Sequence, residues 1–167
     1  QFNFDVGWSD YAAWGSFPFV FDREVSALKI AKLLSSDITA NSLDLPLQFQ
    51  SPWSWGIGWE YSMTDRLKFR LGYEPRKSAI PDDRRNPMIP INNTQLFASG
   101  IGYRFDPDTD IDLTAAFLRS RDNIPANTSG LANQTGVDNL LLNPYAGLNI
   151  KTSTRIVILG IAYRTRW

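Results

Sequence analysis

The sequence predicts an all-β fold in which six antiparallel strands form part of a transmembrane β-barrel. In six segments, large apolar residues alternate with glycine or charged residues, and alternate residues of a β-strand point to opposite faces. The segments are of the length, about 9 to 11 residues, that a tilted strand needs to cross a bilayer. The connections between them are alternately long and short, as in bacterial outer membrane barrels.

The first four predicted strands are residues 1–11, 53–61, 67–75 and 96–105. Their apolar face is strongly aromatic and comprises Phe2, Phe4, Val6, Trp8, Trp53, Trp55, Ile57, Trp59, Tyr61, Leu67, Phe69, Leu71, Tyr73, Phe97, Ile101, Tyr103 and Phe105, with Ser99 as the exception. The opposite face repeatedly carries glycine. Glycine weakens a strand unless the sheet bends or something approaches closely, and a curved wall around a crowded lumen is such a place.

The last two predicted strands are residues 111–118 and 155–167. The first repeats the pattern weakly, with Ile111, Leu113 and Phe117 on the apolar face. In the second, Val157, Leu159, Ile161, Tyr163, Thr165 and Trp167 alternate with Ile156, Ile158, Gly160, Ala162, Arg164 and Arg166. An apolar strand that ends on an aromatic residue is typical of the strand that closes an outer membrane barrel, although the last strand of a soluble sandwich is the alternative.

The lengths of the connections predict the topology. Residues 62–66 and 106–110 are short polar turns, whereas about 15–52, 75–95 and 119–154 are long. Outer membrane barrels have short periplasmic turns and long extracellular loops, so we expect the long connections to be extracellular.

Two sets of side chains follow from this topology. We expect a lipid-facing aromatic girdle that comprises Trp8, Trp53, Trp55, Trp59, Tyr61, Tyr73, Tyr103, Tyr163 and Trp167. We expect a lumen-facing charged set that comprises Asp5, Glu60, Lys68, Arg70, Glu74, Arg104, Asp112, Arg164 and Arg166. The charged set is interpreted either as a mutually neutralising network or as a place where Arg70, Arg104 or Arg164 receives a carboxylate headgroup.

Six strands are too few for a closed barrel, since the smallest single-chain examples have about eight. An open sheet would leave unpaired edges in lipid, where each unsatisfied backbone group costs several kcal/mol. We therefore expect this chain to be the C-terminal portion of one larger barrel domain, completed by a missing N-terminal part on the same or a separate polypeptide.

The order of the motifs resembles the C-terminal part of the long-chain fatty acid transporter (FadL) family. The resemblance rests on the segments Asp5–Tyr11, Ser54–Tyr61, Leu67–Pro75, Phe97–Tyr103 and Asp110–Leu113, with a loop containing Ile80-Pro81 and Ile89-Pro90. It implies a fourteen-stranded monomeric barrel with an N-terminal hatch, and passive uptake of fatty acids or aromatic or aliphatic hydrocarbons with lateral exit through the wall. The hatch would precede Gln1, so no ligand-binding residue of the family is assigned to a position in this sequence.

Composition excludes several other functions. The 17 basic and 17 acidic residues balance, so the chain has no net positive charge that would attract nucleic acid. With no histidine and no cysteine, His-based catalysis, His metal sites and thiolate chemistry are impossible within this chain. The spacing of Asp106, Asp108, Asp110 and Asp112 imitates a calcium loop, but Ile111 and Phe117 stand where an EF-hand needs Gly and Glu. We expect no enzyme activity, no metal and no cofactor.

No apolar run approaches about 18 residues, which predicts no transmembrane helix.

Two loop segments and the function each have more than one interpretation. Residues 22–36 fit an amphipathic helix with Asp22 as N-cap or a strand extension. Leu140–Leu142 form an apolar cluster, either packed on neighbouring loops or forming a landing site for a hydrophobic substrate. Besides uptake of hydrophobic compounds, a docking or shuttle subunit of a secretion machine and a soluble lipocalin-type lipid binder fit the pattern. All but the last require the lipid bilayer as partner.

Overall fold

The computed structural model describes residues 1–34, 39–135, 143 and 145–165. In these residues the elements are β1 (Phe2–Trp8), β2 (Phe17–Val20), α1 (Ser26–Leu34), β3 (Ser42–Leu45), β4 (Trp53–Ser62), β5 (Leu67–Arg76), a 3₁₀ turn (Asp82–Arg84), β6 (Thr94–Asp106), β7 (Thr109–Ile124) and β8 (Ile150–Thr165). No helix among them is both long and apolar enough to cross a membrane.

The six long strands form one antiparallel sheet in the order β1-β4-β5-β6-β7-β8. This confirms the six predicted strands and their pairing in sequence order. The sheet is open, with β1 and β8 at its edges within the described residues. Its register keeps the two faces separate; for example, Ile57 pairs with Tyr73, and Tyr73 pairs with Phe97. We call the two sides of the sheet the aromatic face and the polar face.

The strands β7 and β8 extend further than the sequence pattern predicts. Their ladder runs from Thr109↔Thr165 to Ile124↔Ile150, so the last long connection spans 125–149 rather than 119–154. Apart from the last pair, Ile124↔Ile150, the added pairs are polar, for example Arg121↔Ser153. They show no apolar alternation because backbone hydrogen bonds between strands do not require apolar side chains. At the other end of the sheet, β1 stops at Trp8, since the Tyr11 amide then donates to the Ser9 carbonyl in a turn.

Residues 26–34 form a helix, so the helix and not the strand extension is the correct prediction for this segment. Leu28 and Ala31 are buried on one side of α1, three residues apart. Asp22 does not cap it: the first turn is closed by the Lys29 amide donating to the Val25 carbonyl. Lys29 also lies 2.6 Å from Glu24, and this hydrogen-bonded ammonium lowers the pKa of that exposed carboxyl.

The three long connections pack together at one end of the sheet. Their shared core, which we call the loop core, comprises Leu45, Leu47, Phe49, Ala79, Ile80 and Leu131. The first connection supplies three of these residues, the second two and the third one. They come from parts of the chain far apart in sequence, so the long loops form one cap. Leu140–Leu142 lie outside the described residues, and their two interpretations stay predictions.

Candidate functional site

The aromatic face is exposed along its whole breadth. Phe2, Trp53 and Leu159 are 84%, 66% and 77% exposed. Every described member of the predicted girdle lies on this face, and neighbouring rings pack together: Trp59 stacks on Tyr61 with centroids 5.7 Å apart, and Tyr73 lies 5.0 Å from Phe97. So large an apolar patch is far outside what a monomeric soluble protein exposes. Trp167 lies outside the described residues.

Four of the predicted charged residues come together on the polar face. This ion cluster comprises Glu60, Lys68, Arg70 and Asp112. Glu60 accepts from Lys68 at 2.8 Å and from Arg70 at 2.8 Å, and Arg70 Nη1 reaches Asp112 at 2.5 Å. Two acids and two bases cancel, and Arg70 already has a carboxylate on each side. This arrangement supports the interpretation as a neutralising network that ties β4, β5 and β7 together.

The Arg70–Asp112 contact crosses above β6 at Gly102. Arg70 is on β5 and Asp112 on β7, so their side chains must pass over the strand between them. A Cβ at residue 102 would lie 2.6 Å from Asp112 Oδ1 and 3.2 Å from Arg70 Nη1. Glycine therefore leaves room for this close approach, and a larger residue would displace the end of the Asp112 or Arg70 side chain.

The remaining charged candidates do not join the ion cluster. Glu74 binds Arg76 on its own strand at 2.6 Å. Arg164 lies 3.6 Å from Asp110 near the short-turn end, and Arg104 is opposite Asp110 in the register. Asp5 is opposite Gly56 on β1. Arg166 lies outside the described residues.

The polar face also carries an apolar patch that sequence reasoning did not single out. It comprises Leu96, Ala98, Ala116, Leu118, Ile156 and Ile158. Leu96 pairs with Leu118, and Leu118 with Ile156; in the adjacent row Ala98 pairs with Ala116, and Ala116 with Ile158. Ile156 and Ile158 are apolar residues on the polar face and could have indicated the patch. However, all residues of 156–159 are apolar, so this run has no alternation from which the two faces could be told apart.

The apolar patch lies between the ion cluster and the loop cap. On its short-turn side, a single row of small residues, Gly100, Thr114 and Gly160, separates it from Asp112. On its other side, the second long connection crosses the polar face: Ser120 donates to the Asn93 carbonyl at 2.7 Å, and Asn92 donates to Thr152 at 3.1 Å. The patch is therefore framed by charge at one end and by a folded loop at the other.

A buried ion pair fastens this loop to the sheet. Arg85 of the second connection contacts Asp122 of β7, and the two side chains are only 9% and 6% exposed. Arg85 Nη2 also reaches Asp82 at 2.6 Å, and the Arg85 carbonyl accepts from Ser129 Oγ at 2.6 Å. Separating the two side chains would leave an uncompensated buried charge, which is strongly unfavourable. This contact therefore holds the cap in one position on the sheet.

In the described residues, no group of acidic side chains is arranged to hold a metal ion. Asp106 ends β6, Asp108 lies in the β6–β7 turn, and Asp110 and Asp112 belong to β7. In this turn the Asp108 amide donates to the Asp106 carboxylate at 2.9 Å.

Comparisons with known proteins identify the fold. All of residues 1–167 match the family described as "Outer membrane protein transport protein (OMPP1/FadL/TodX)". A solved structure with similar architecture is the crystal structure of a FadL homologue from Pseudomonas aeruginosa, with a TM-score of 0.61 and 17% sequence identity. The match covers 98% of this chain but 32% of that one, so this chain spans about a third of its length. No curated protein matches.

This family consists of integral outer membrane β-barrel proteins of bacteria. A family match over the whole length confirms the resemblance seen in the motifs, and the structural match confirms the barrel fold. This chain belongs to the OMPP1/FadL/TodX family of outer membrane transport proteins.

Proposed function

We propose that this chain forms part of the wall of a barrel that lets hydrophobic small molecules cross the outer membrane passively. The substrates would be long-chain fatty acids or aromatic or aliphatic hydrocarbons. The polar face is the lumen side, the aromatic face meets lipid, and the long connections are extracellular. Family membership supports the general class of function, and it argues against a soluble lipocalin-type lipid binder.

The apolar patch is the observation that carries the proposal. The interior of a water-filled outer membrane channel is polar, whereas here Leu96, Leu118 and Ile156 lie side by side on the polar face. Ile156 is 45% exposed, so its side chain is not used up in packing within the described residues. An inward apolar strip offers a nonpolar solute a path along which it need not be fully hydrated.

The barrel must be completed by further strands. Within the described residues, β1 and β8 each have one edge without a partner strand, and open edges are not tolerated in the hydrocarbon region. We expect the missing N-terminal part to supply strands at both edges.

Uptake by Leu118 variants tests the proposal. Leu118→Gln places an amide in the middle of the patch, and Leu118→Met is the matched control that keeps the volume and the apolar character. We expect uptake of a labelled long-chain fatty acid or a small aromatic hydrocarbon by whole cells to fall several-fold with Gln and to change little with Met.

Two outcomes count against the proposal. If a correctly folded Leu118→Gln barrel takes up both substrates like the unaltered protein, the apolar patch is not on the path. If the unaltered barrel takes up neither substrate above an empty-vector control, transport itself is wrong, and the docking role in a secretion machine becomes the better account.

A further inference from the structure

A cluster of basic side chains lies on the aromatic face, at the long-loop end of β7 and β8. This basic cluster comprises Arg119, Arg121, Lys151 and Arg155, all exposed. Arg119 is directly opposite Arg155, and Arg121 and Lys151 follow in the next two rows of the ladder. We infer that it binds the phosphate groups of a phosphorylated lipid in the outer leaflet of the membrane, outside the barrel and independent of transport.

The basic cluster places like charges next to one another. Like charges directly opposite one another in an antiparallel pair are destabilising, yet Arg119 and Arg155 occupy such positions. No ion pair in the described part of the chain includes any of the four basic side chains. An anion seated between the two guanidinium groups would offset their repulsion.

The Arg119 side chain is held in one orientation by its neighbours. Its Nε donates to Gln95 Oε1 at 2.8 Å, and its guanidinium lies 5.5 Å from the centre of the Phe97 ring. These contacts hold the planar group against the aromatic face and leave its two terminal nitrogens as donors. Arginine binds phosphate through such paired donors, and holding it in place lowers the entropy lost on binding.

A recess lies between the basic side chains. A concavity of about 310 Å³ is lined by Phe117, Arg119, Ser120, Arg121, Ser153 and Arg155. The serine at position 153 keeps the space beside Arg121 open, since Arg121 and Ser153 are opposite each other in the register. A phosphate group would sit there among several donors.

An apolar groove near the basic cluster fits the acyl chain of a lipid. Four residues along β7 from Arg119, about 13 Å at the rise of a strand, lies Ala115. Ala115 and its cross-strand partner Ser99 are small, and with Leu71, Ile101, Leu113 and Leu159 they line an apolar groove of about 710 Å³. A headgroup phosphate on the basic cluster would place an acyl chain beside this groove, in the hydrocarbon region.

The position in the membrane follows from the topology proposed above. If the long connections are extracellular, the basic cluster lies at the outer surface, just beyond the ring of Phe97 and Phe117. Basic residues near a membrane surface attract anionic lipids, each contributing about 1 kcal/mol. The ligand is therefore a phosphorylated lipid of the outward leaflet.

The experiment measures binding of diphosphoryl lipid A to the assembled barrel in phosphatidylcholine nanodiscs. We expect saturable binding that weakens at high salt, as charge interactions do at an exposed site. Arg119→Gln combined with Arg155→Gln should weaken it by about tenfold or more. Arg66→Gln removes one charge at the opposite end of the barrel and should leave it unchanged.

A second variant keeps the test valid if the double variant does not fold. Ala115→Phe fills the groove but retains all four bases, and it should weaken binding of the lipid. Equal binding of lipid A stripped of its phosphates would overturn the proposal, as would unchanged binding by a folded double variant. Inorganic phosphate binding as tightly as the lipid would show a free-phosphate site and would also overturn it.

Discussion

A single glycine leaves the space in which the Arg70–Asp112 pair forms. Gly102 lies beneath that contact, where an added Cβ would be 2.6 Å from the Asp112 carboxylate. Gly72 lies in the same sheet, but a Cβ there would meet Ala98 at an ordinary 3.7 Å. The two glycines look alike in the sequence pattern, and only the register reveals that one of them is crossed by an ion pair.

We expect Gly102→Ala to destabilise the folded barrel by about 1 kcal/mol, the upper range for a partly exposed pair. Gly72→Ala is the control and should have little effect. In an Asp112→Ala background, which lacks the pair, Gly102→Ala should also cost little. Urea unfolding in detergent measures all four proteins. If Gly102→Ala destabilises the barrel equally with and without Asp112, the glycine is needed for the backbone conformation and not for the ion pair.

At the scale of single strands, the sequence predicted the position of a strand wherever its two faces differ in polarity. Where a strand must be apolar on one side and small or charged on the other, as in β4, the alternation is visible and the strand was located to within a residue. Where β7 and β8 continue past residue 118 and before residue 155, both faces are polar up to the final pair, Ile124↔Ile150. The alternation is then absent, because these segments are held by backbone pairing and by polar contacts with the second long connection, such as Arg85–Asp122.

Adjacent residues on β7 test the assignment of the two faces. Leu113 is on the aromatic face opposite Ile101, and Thr114 is on the polar face opposite Gly100. Leu113→Arg should destabilise the barrel by about 2–4 kcal/mol, the cost of a basic residue on the lipid face near the bilayer midplane. Thr114→Arg introduces the same side chain one position later and should cost much less. Refolding into bilayers under urea measures both; if Thr114→Arg costs more than Leu113→Arg, the faces are reversed.

At the scale of the whole molecule, the cap was the part that the sequence could not predict. Its core joins Leu47, Ile80 and Leu131 from three connections, and its anchor joins Arg85 to Asp122 across 37 residues of chain. Such contacts leave no periodic pattern. The apolar patch was missed for a related reason, since it is a property of three strands side by side and not of any one of them.

The orientation of the molecule is testable because this chain has no cysteine. A single cysteine can therefore be introduced as a marker and labelled in intact cells with a maleimide attached to a polymer too large to pass the outer membrane. Lys32 on α1 and Asp65 in the β4–β5 turn are both exposed and belong to opposite ends of the sheet. If the long connections are extracellular, Lys32→Cys will be labelled in intact cells, and Asp65→Cys will be labelled only after the outer membrane is permeabilised. The reverse pattern would place the cap in the periplasm. It would also move the basic cluster to the inner leaflet, so this measurement decides the orientation on which the lipid site depends.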